Sequence, residues 1–221
     1  MIITIDGPAA AGKGTLASTL SEKYHLAYFD TGMIYRAVGL EIRIQGCDIN
    51  NEAQSLAVAQ KMTFPRMMEL AKDSRLRDAI GGEYASVVAA IPSVRSALLK
   101  MQQDFSLSPV YADGTPAQGA VYDGRDTGTV VCPHADIKFY ITASPEVRAE
   151  RRYKEFVAKG LDISYEQVLS DVKIRDERDS NRSTAPLNPA PDAIILDTSS
   201  MSIAEVLQKA CEIIDSYQKN S

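Results

Sequence analysis

The sequence predicts an α/β fold: a five-stranded parallel sheet flanked by helices on both faces, with a phosphate-binding loop at its first turn. Three observations carry this. Apolar segments with strand and helix periods alternate along most of the chain, the order that builds βαβ units. The strand segments are short, apolar and rich in β-branched residues, as burial on both faces requires. The first strand, Ile2 to Ile5, runs into Asp6-Gly7-Pro8-Ala9-Ala10-Ala11-Gly12-Lys13-Gly14-Thr15: a glycine-bounded loop, a lysine and a helix start. An accidental Gly/Ala-rich turn would need neither the strand before nor the helix after.

The elements follow in order. Thr15 to Tyr24 reads as a helix, and Ala27-Tyr28-Phe29 as a short strand ending in Asp30-Thr31-Gly32. A second helix, roughly 33–45, stops at Gly46, a residue type that ends helices in the left-handed conformation. The polar stretch Asp48 to Glu52 opens a third, through about Met62. Residues 63–92 are charged, carry Gly81-Gly82 and show no clean period. Val94, Leu98, Met101 and Phe105 then mark the buried face of a helix. Ser106 to Gly119 holds Pro109, Asp113-Gly114, Pro116 and Gly119, turn residues that predict a loop or small hairpin. Ala120-Val121-Tyr122 is the third strand and Ile137 to Ile141 the fourth. Ser144-Pro145-Glu146 caps the helix that follows, and Gly160 ends it. Ser164 with Gln167 resembles a capping box for the next helix, which buries Tyr165, Val168, Leu169 and Val172. Ala193 to Leu196 is the last strand, and Ser202 with Glu205 caps a final amphipathic helix through Ile214. The strand ends carry Gly7, Asp30, Asp123 and Asp197. Ligands of such sheets bind at carboxyl ends, so the first three of these turns are expected to line one crevice.

At 221 residues, 45% of them hydrophobic, the chain supports one domain with a modest insertion. A net charge of −5 argues against a nucleic-acid or anionic-membrane surface, so phosphate binding has to come from local clusters of arginine and lysine. Cys47, Cys132 and Cys211 lie far apart with no C-x-x-C pair, which fits a reducing compartment without disulfides or a zinc site. The apolar start is too short for a signal peptide and no run approaches a membrane span. A cytoplasmic protein is expected, with monomer as the default.

Gly7 and Gly12 let the loop backbone curl so that successive N–H groups point at a phosphate. Lys13 reaches the outer phosphates as a point charge, and the following helix adds the positive end of its dipole. The general motif has Ser or Thr directly after the lysine; here Gly14 stands there and Thr15 follows. Mg²⁺ is expected with ATP, its direct protein ligands left open, Thr15 among the candidates. Three arginine-bearing stretches stand out. Asp30 to Arg36 puts Arg36 one turn into a helix, where the plain alternative is a surface arginine. Asp123-Gly124-Arg125-Asp126 projects its last two residues from a tight turn, unless they form a strand-end salt bridge. Arg175, Arg178, Asp179 and Arg182 fall at i, i+3, i+4 and i+7 and are predicted to share one helix face. Three arginines around one aspartate call for a further anion such as a polyphosphate; a solvated charged face is the alternative. Arg148, Arg151 and Arg152 on the preceding helix add to the same positive charge, and the two helices are expected to form a mobile lid.

With these motifs the sequence resembles the bacterial cytidylate kinase family of P-loop nucleoside monophosphate kinases. The resemblance runs through the Gly-Lys-Gly-Thr loop, Asp30 to Arg36, Ser86 to Arg95, Asp123 to Val131, and Arg175 to Pro186 with its Arg-Asp-x-Arg-Asp-x-Asn-Arg core. It implies the P-loop nucleoside-kinase fold: a core of about 1–46, 106–145 and 190–221, a monophosphate-binding insertion at about 47–105 and a short helical lid at about 146–185. It implies transfer of the ATP γ-phosphoryl group to CMP or dCMP. Gly7, Pro8, Ala9, Ala10, Ala11, Gly12, Lys13, Gly14 and Thr15 would hold ATP, with Arg151 and Arg178 on the ATP side and the lid. Arg36, Arg125 and Arg182 would hold the CMP phosphate, with Thr31 and Tyr35 beside the nucleotide. Ser86, Arg95 and Asp126 would read cytosine, and Arg175 and Asp179 touch the ribose. Lys13, Arg125 and Arg182 would carry catalysis with Mg²⁺. A carboxylate at 126 accepts from the exocyclic amine of cytosine and repels the oxygen that uracil presents there.

Two regions depart from the family pattern. Residues 63–84 are short for the family's inserted antiparallel sheet and lack strand alternation, so that sheet is expected to be reduced or replaced by helix. Residues 109–120 are longer than the family turn. A phosphate acceptor is already anionic and needs no general base, and His25 and His134 lie outside every motif. The competing kinases act on UMP, AMP or shikimate; Asp126 separates them. A GTPase-type switch protein calls for Asn-Lys-x-Asp or Thr-Lys-x-Asp, and neither occurs.

Overall fold

The computed structural model describes residues 1–220, with backbone alone for Ala79 and Asn220. The strands are β1 (Ile2–Asp6), β2 (Ala27–Asp30), β3 (Ala120–Gly124), β4 (Ile137–Thr142) and β5 (Ile194–Asp197). The helices are α1 (Lys13–Lys23), α2 (Thr31–Gln45), α3 (Glu52–Lys61), α4 (Phe64–Leu70), α5 (Ala79–Val88), α6 (Pro92–Leu107), α7 (Pro145–Ala158), α8 (Tyr165–Asn181) and α9 (Ile203–Asn220). A 3₁₀ turn lies at Ser74–Arg77 and a π-helical turn at Thr127–Val131. The expected five-stranded parallel sheet is present, in the order β2-β3-β1-β4-β5. β1 is central, and Ile3, Thr4 and Ile5, which alternate between its two faces, are all fully buried, so the strand is covered on both sides.

Two compact units divide the chain: residues 1–29, 109–181 and 185–221, and residues 30–108 with 182–184. In the first, α1 lays Leu16, Ala17 and Leu20, and α9 lays Val206, Ala210 and Ile214, against Ile3, Ile5, Val121, Phe139 and Ile141. Each such aliphatic side chain contributes about 1.5–3 kcal/mol by leaving water. α7 and α8 pair around a separate small core of Ala149, Val168 and Val172, edged by Tyr153 and Tyr165 at a ring distance of 6.2 Å. The segment before β3 is the expected small hairpin, with a single antiparallel bridge between Val110 and Pro116.

In the second unit α2 packs on α3, α4 and α5, and α3 on α6. Local caps start these helices: Asp30 accepts from Gly32 N, Asn51 from Gln54 N, Thr63 from Arg66 N and Asp78 from Gly81 N. Residues 63–84 hold helical pieces and no strand. The pieces are only about one to three turns long, too short for a period to emerge from sequence.

One expectation is overturned. α8 ends at Asn181, so Arg182 does not share a helix face with Arg175, Arg178 and Asp179. The chain instead turns back through Ala185, at φ 51°, and Leu187 N donates to the Asp179 carbonyl at 2.9 Å, closing the helix end.

Candidate active site

The loop between β1 and α1 has the geometry its glycines predict. Gly7 sits at φ 147°, and a Cβ there would lie 1.9 Å from the Ile141 carbonyl oxygen, so no other residue fits. Ala10 and Gly12 are also left-handed, at φ 60° and 95°. Gly12 brings no capping side chain to α1, which leaves the first helix amides for an anion. Lys13 is 5% exposed; its Nζ donates to Pro8 O at 2.8 Å and lies 4.0 Å from Asp123 Oδ1. Burial, then the neighbouring Arg125, bring its pKa down from 10.5 to about 7, while Asp123 works the other way.

β3 delivers the next group. A Cβ on Gly14 would lie 3.3 Å from Asp123 Oδ2 and 3.8 Å from the Tyr28 hydroxyl, so the place of the usual motif hydroxyl is bordered by a carboxylate. Among the described residues no three His, Cys, Asp or Glu side chains gather into a metal cage. That donor set fits Mg²⁺, a hard ion held chiefly by phosphate oxygens and water with one or two carboxylates. Asp123 is the carboxylate in position, and Thr15 is exposed at the start of α1. Arg125 Nε donates to Asp179 Oδ2 at 3.0 Å and its Nη1 to Gly124 O at 3.1 Å; Arg175 Nε lies 4.0 Å from the same carboxylate oxygen. Both arginines bear electrostatically on Lys13. Asp126 is buried beside them in sequence, at 5% exposure.

The α7 arginines, expected to add to the positive charge, have partners within the protein. Arg148 is buried, paired through both guanidinium ends with Asp176, and donates to Ala143 O at 2.8 Å and Ala9 O at 3.2 Å. Arg151 donates to Thr198 O at 2.7 Å and Oγ1 at 3.0 Å, and reaches Ala11 O at 3.5 Å. Arg152 lies over the Phe156 ring at 4.9 Å. Buried guanidinium groups must satisfy their donors, and outward-facing loop carbonyls are the acceptors at hand. Arg178 is exposed on α8.

In the second unit Thr31 and Tyr35 are buried at the start of α2, and the Arg95 guanidinium lies over the Tyr35 ring at 5.3 Å. Arg95 also donates to Ala89 O at 3.2 Å, and Arg36 to Leu76 O at 3.1 Å. Ser86 is buried on α5, and Arg182 belongs to this unit. Sequence reasoning missed Asp6, whose carboxylate holds Thr127 and Gly128, and the Arg148–Asp176 pair. Asp6 was visible at the end of β1, but its partners lie more than a hundred residues away, and no local pattern announces them.

The family model and the relatives found by sequence point to one family. The chain matches the family described as Cytidylate kinase over residues 3–216. It is 49% identical over 215 residues to a cytidylate kinase of Xanthobacter autotrophicus, covering 97% of each chain. It is 48% identical over 214 residues to one of Rhodospirillum rubrum, again covering 97% of each. Among solved structures an uncharacterized protein from Eubacterium ventriosum matches with a TM-score of 0.54 at 12% identity, over 98% of this chain and 99% of that one, a likeness of fold alone. No helix among the described residues is long and apolar enough to cross a membrane.

Proposed function

The chain belongs to the cytidylate kinase family, and we propose that it transfers the γ-phosphoryl group of ATP to CMP or dCMP, releasing ADP and CDP or dCDP. The observation that carries the reading is the first loop: left-handed Gly7, Ala10 and Gly12, an uncapped α1 and a buried lysine together make a polyphosphate cradle. Lys13 exchanges its carbonyl partner for a phosphate oxygen and regains its full charge there. Mg²⁺ bound with ATP supplies further neutralisation of phosphate charge, with Asp123 and Thr15 as the residues that would hold it. Arg125 and Arg182, with Arg36, hold the acceptor phosphate and offset the charge of the transferring group. Thr31 and Tyr35 flank the acceptor, and Arg175 and Asp179 orient its ribose. Arg151 and Arg178 serve the donor side.

No side chain takes a proton from the acceptor, whose phosphate is already anionic. Asp126 accepts from the cytosine amine, and Ser86 and Arg95 complete the reading of the base. Residues 47–105 are assigned to acceptor binding and 146–185 to a lid that excludes water as a competing acceptor.

The test is ADP release from ATP and Mg²⁺ with CMP, dCMP, UMP, AMP, shikimate or no acceptor. Release with CMP and dCMP far above UMP is expected, and Asp126→Asn should narrow that gap. Equal rates with every nucleotide would leave a kinase and remove the cytosine reading; silence throughout would remove the kinase.

A further inference from the structure

Asp6 takes no part in the reaction as described, yet it is 4% exposed and its carboxylate is saturated. Oδ1 accepts from Thr127 N and from Thr127 Oγ1, each at 2.8 Å, and Oδ2 accepts from Gly128 N at 2.8 Å. All three donors sit in the π-helical turn that begins immediately after Arg125 and Asp126. The turn closes with Val131 N on Asp126 O at 3.2 Å and Cys132 N on Thr127 O at 2.7 Å. The two amides given to Asp6 are among those such a turn leaves without an internal partner. Isolated π turns recur at functional sites, and this one is anchored from outside by Asp6.

On its other side Asp6 precedes Gly7, the first residue of the phosphate loop, and pairs in register with Gly124. There is no slack in the arrangement. A Cβ on Gly128 would lie 2.9 Å from Thr4 Oγ1, 3.2 Å from Lys138 Cδ and 3.4 Å from Asp6 Oδ2. The chemistry also favours an acid over its amide. Only a carboxylate accepts on both oxygens, and burying one raises its pKa and costs stability unless donors surround it.

We propose that Asp6 is a positioning residue that fixes Arg125 and Asp126 against the phosphate loop and so sets the enzyme's selectivity for its acceptor base. The inference rests on Asp126 as the reader of cytosine. Asp6→Asn keeps the size but turns an N–H₂ toward an amide N–H, so one anchor is lost.

Steady-state constants for ATP, CMP and UMP are measured for Asp6→Asn, Thr127→Val, Gly128→Ala and Asp126→Asn, alongside thermal midpoints. In Asp6→Asn the KM for CMP should rise on the order of tenfold and the CMP-over-UMP preference fall, since small displacements far from the chemistry have large effects. The KM for ATP should stay within about twofold. Thr127→Val, which removes only the hydroxyl donor, should move the preference the same way by less. If Asp6→Asn does not fold, Gly128→Ala, which displaces the turn and leaves the charges alone, must reproduce the loss of preference.

A lowered midpoint with unchanged preference, or equal shifts in KM for both substrates, overturns the proposal and leaves Asp6 a structural acid. Loss of preference in Asp126→Asn but not in the other variants defeats positioning and keeps the base reading. Unchanged preference in Asp126→Asn defeats the base reading itself.

Discussion

Lys13 should take up a proton when nucleotide binds. In the free protein its Nζ rests on the Pro8 carbonyl, and burial with Arg125 nearby brings its pKa from 10.5 to about 7. That difference corresponds to about 5 kcal/mol favouring the neutral amine. A polyphosphate beside the amine restores the ammonium. At pH 8.5 the nucleotide phosphates are fully ionised and free Lys13 is only about 3% charged, so binding should draw about 0.9 proton from the buffer. Calorimetric titration of ADP in buffers of differing ionisation enthalpy reads this number as a slope. Lys13→Arg, charged throughout, should bring the slope close to zero. A flat slope in the unmodified protein at pH 8.5 would mean that Lys13 is charged before nucleotide arrives, and the argument would fail. Stability carries the same signature with a definite sign. The unfolded chain binds this proton near 10.5 and the folded one near 7, so the site costs nothing above that window, progressively more as pH falls through it, and a constant amount below. Lys13→Met should therefore be more stable than the parent at pH 8, by about 2–4 kcal/mol, and lose most of that advantage by pH 10.

Three further outcomes are expected. Arg148→Met leaves Asp176 and two carbonyls without their buried partner and should cost about 3–5 kcal/mol in urea unfolding, against about 1 kcal/mol or less for the exposed pair partner Lys100→Ala. Asp78→Ala removes both the α5 cap and the Arg43 partner and should cost about 1–2 kcal/mol by the same measurement. Arg182→Met should abolish phosphoryl transfer while leaving the thermal midpoint near that of the parent; near-normal turnover would remove Arg182 from the reaction.

Most of the sheet and its connections could be read from sequence because strands buried on both faces are forced to be apolar, and the caps that start helices are local. Gly7 and Lys13 were legible for the same reason: the loop is a continuous stretch whose function follows from its own backbone. The arginines were not. Arg148 looked like added positive charge for a ligand, but a guanidinium's partner is fixed by the fold, and its partners are Asp176 and the carbonyls of Ala143 and Ala9. Arg182 was placed on α8 because its spacing continued the helical period past a helix end set by distant Leu187. The short helices between residues 63 and 88 were unreadable because capping rather than periodicity defines them.

The internal partners of these cations separate those able to move from those that are fixed. Lys13 rests on the Pro8 carbonyl, Arg36 donates to the Leu76 carbonyl, and Arg125 donates to both a carbonyl and Asp179. A neutral carbonyl yields to phosphate, because the cation gains the Coulomb attraction of an anionic acceptor that a carbonyl lacks. A carboxylate partner competes on equal terms. Arg148, held at both ends by Asp176 and by the Ala9 carbonyl besides, has the most to lose by exchange. The Nε–H resonances of the arginines report the distinction. On titration with ADP and CMP that of Arg36 should shift strongly, that of Arg125, whose Nε donates to Asp179, should shift less, and that of Arg148 should stay in place; a large shift at Arg148 would show that it, too, leaves its partners for the nucleotide.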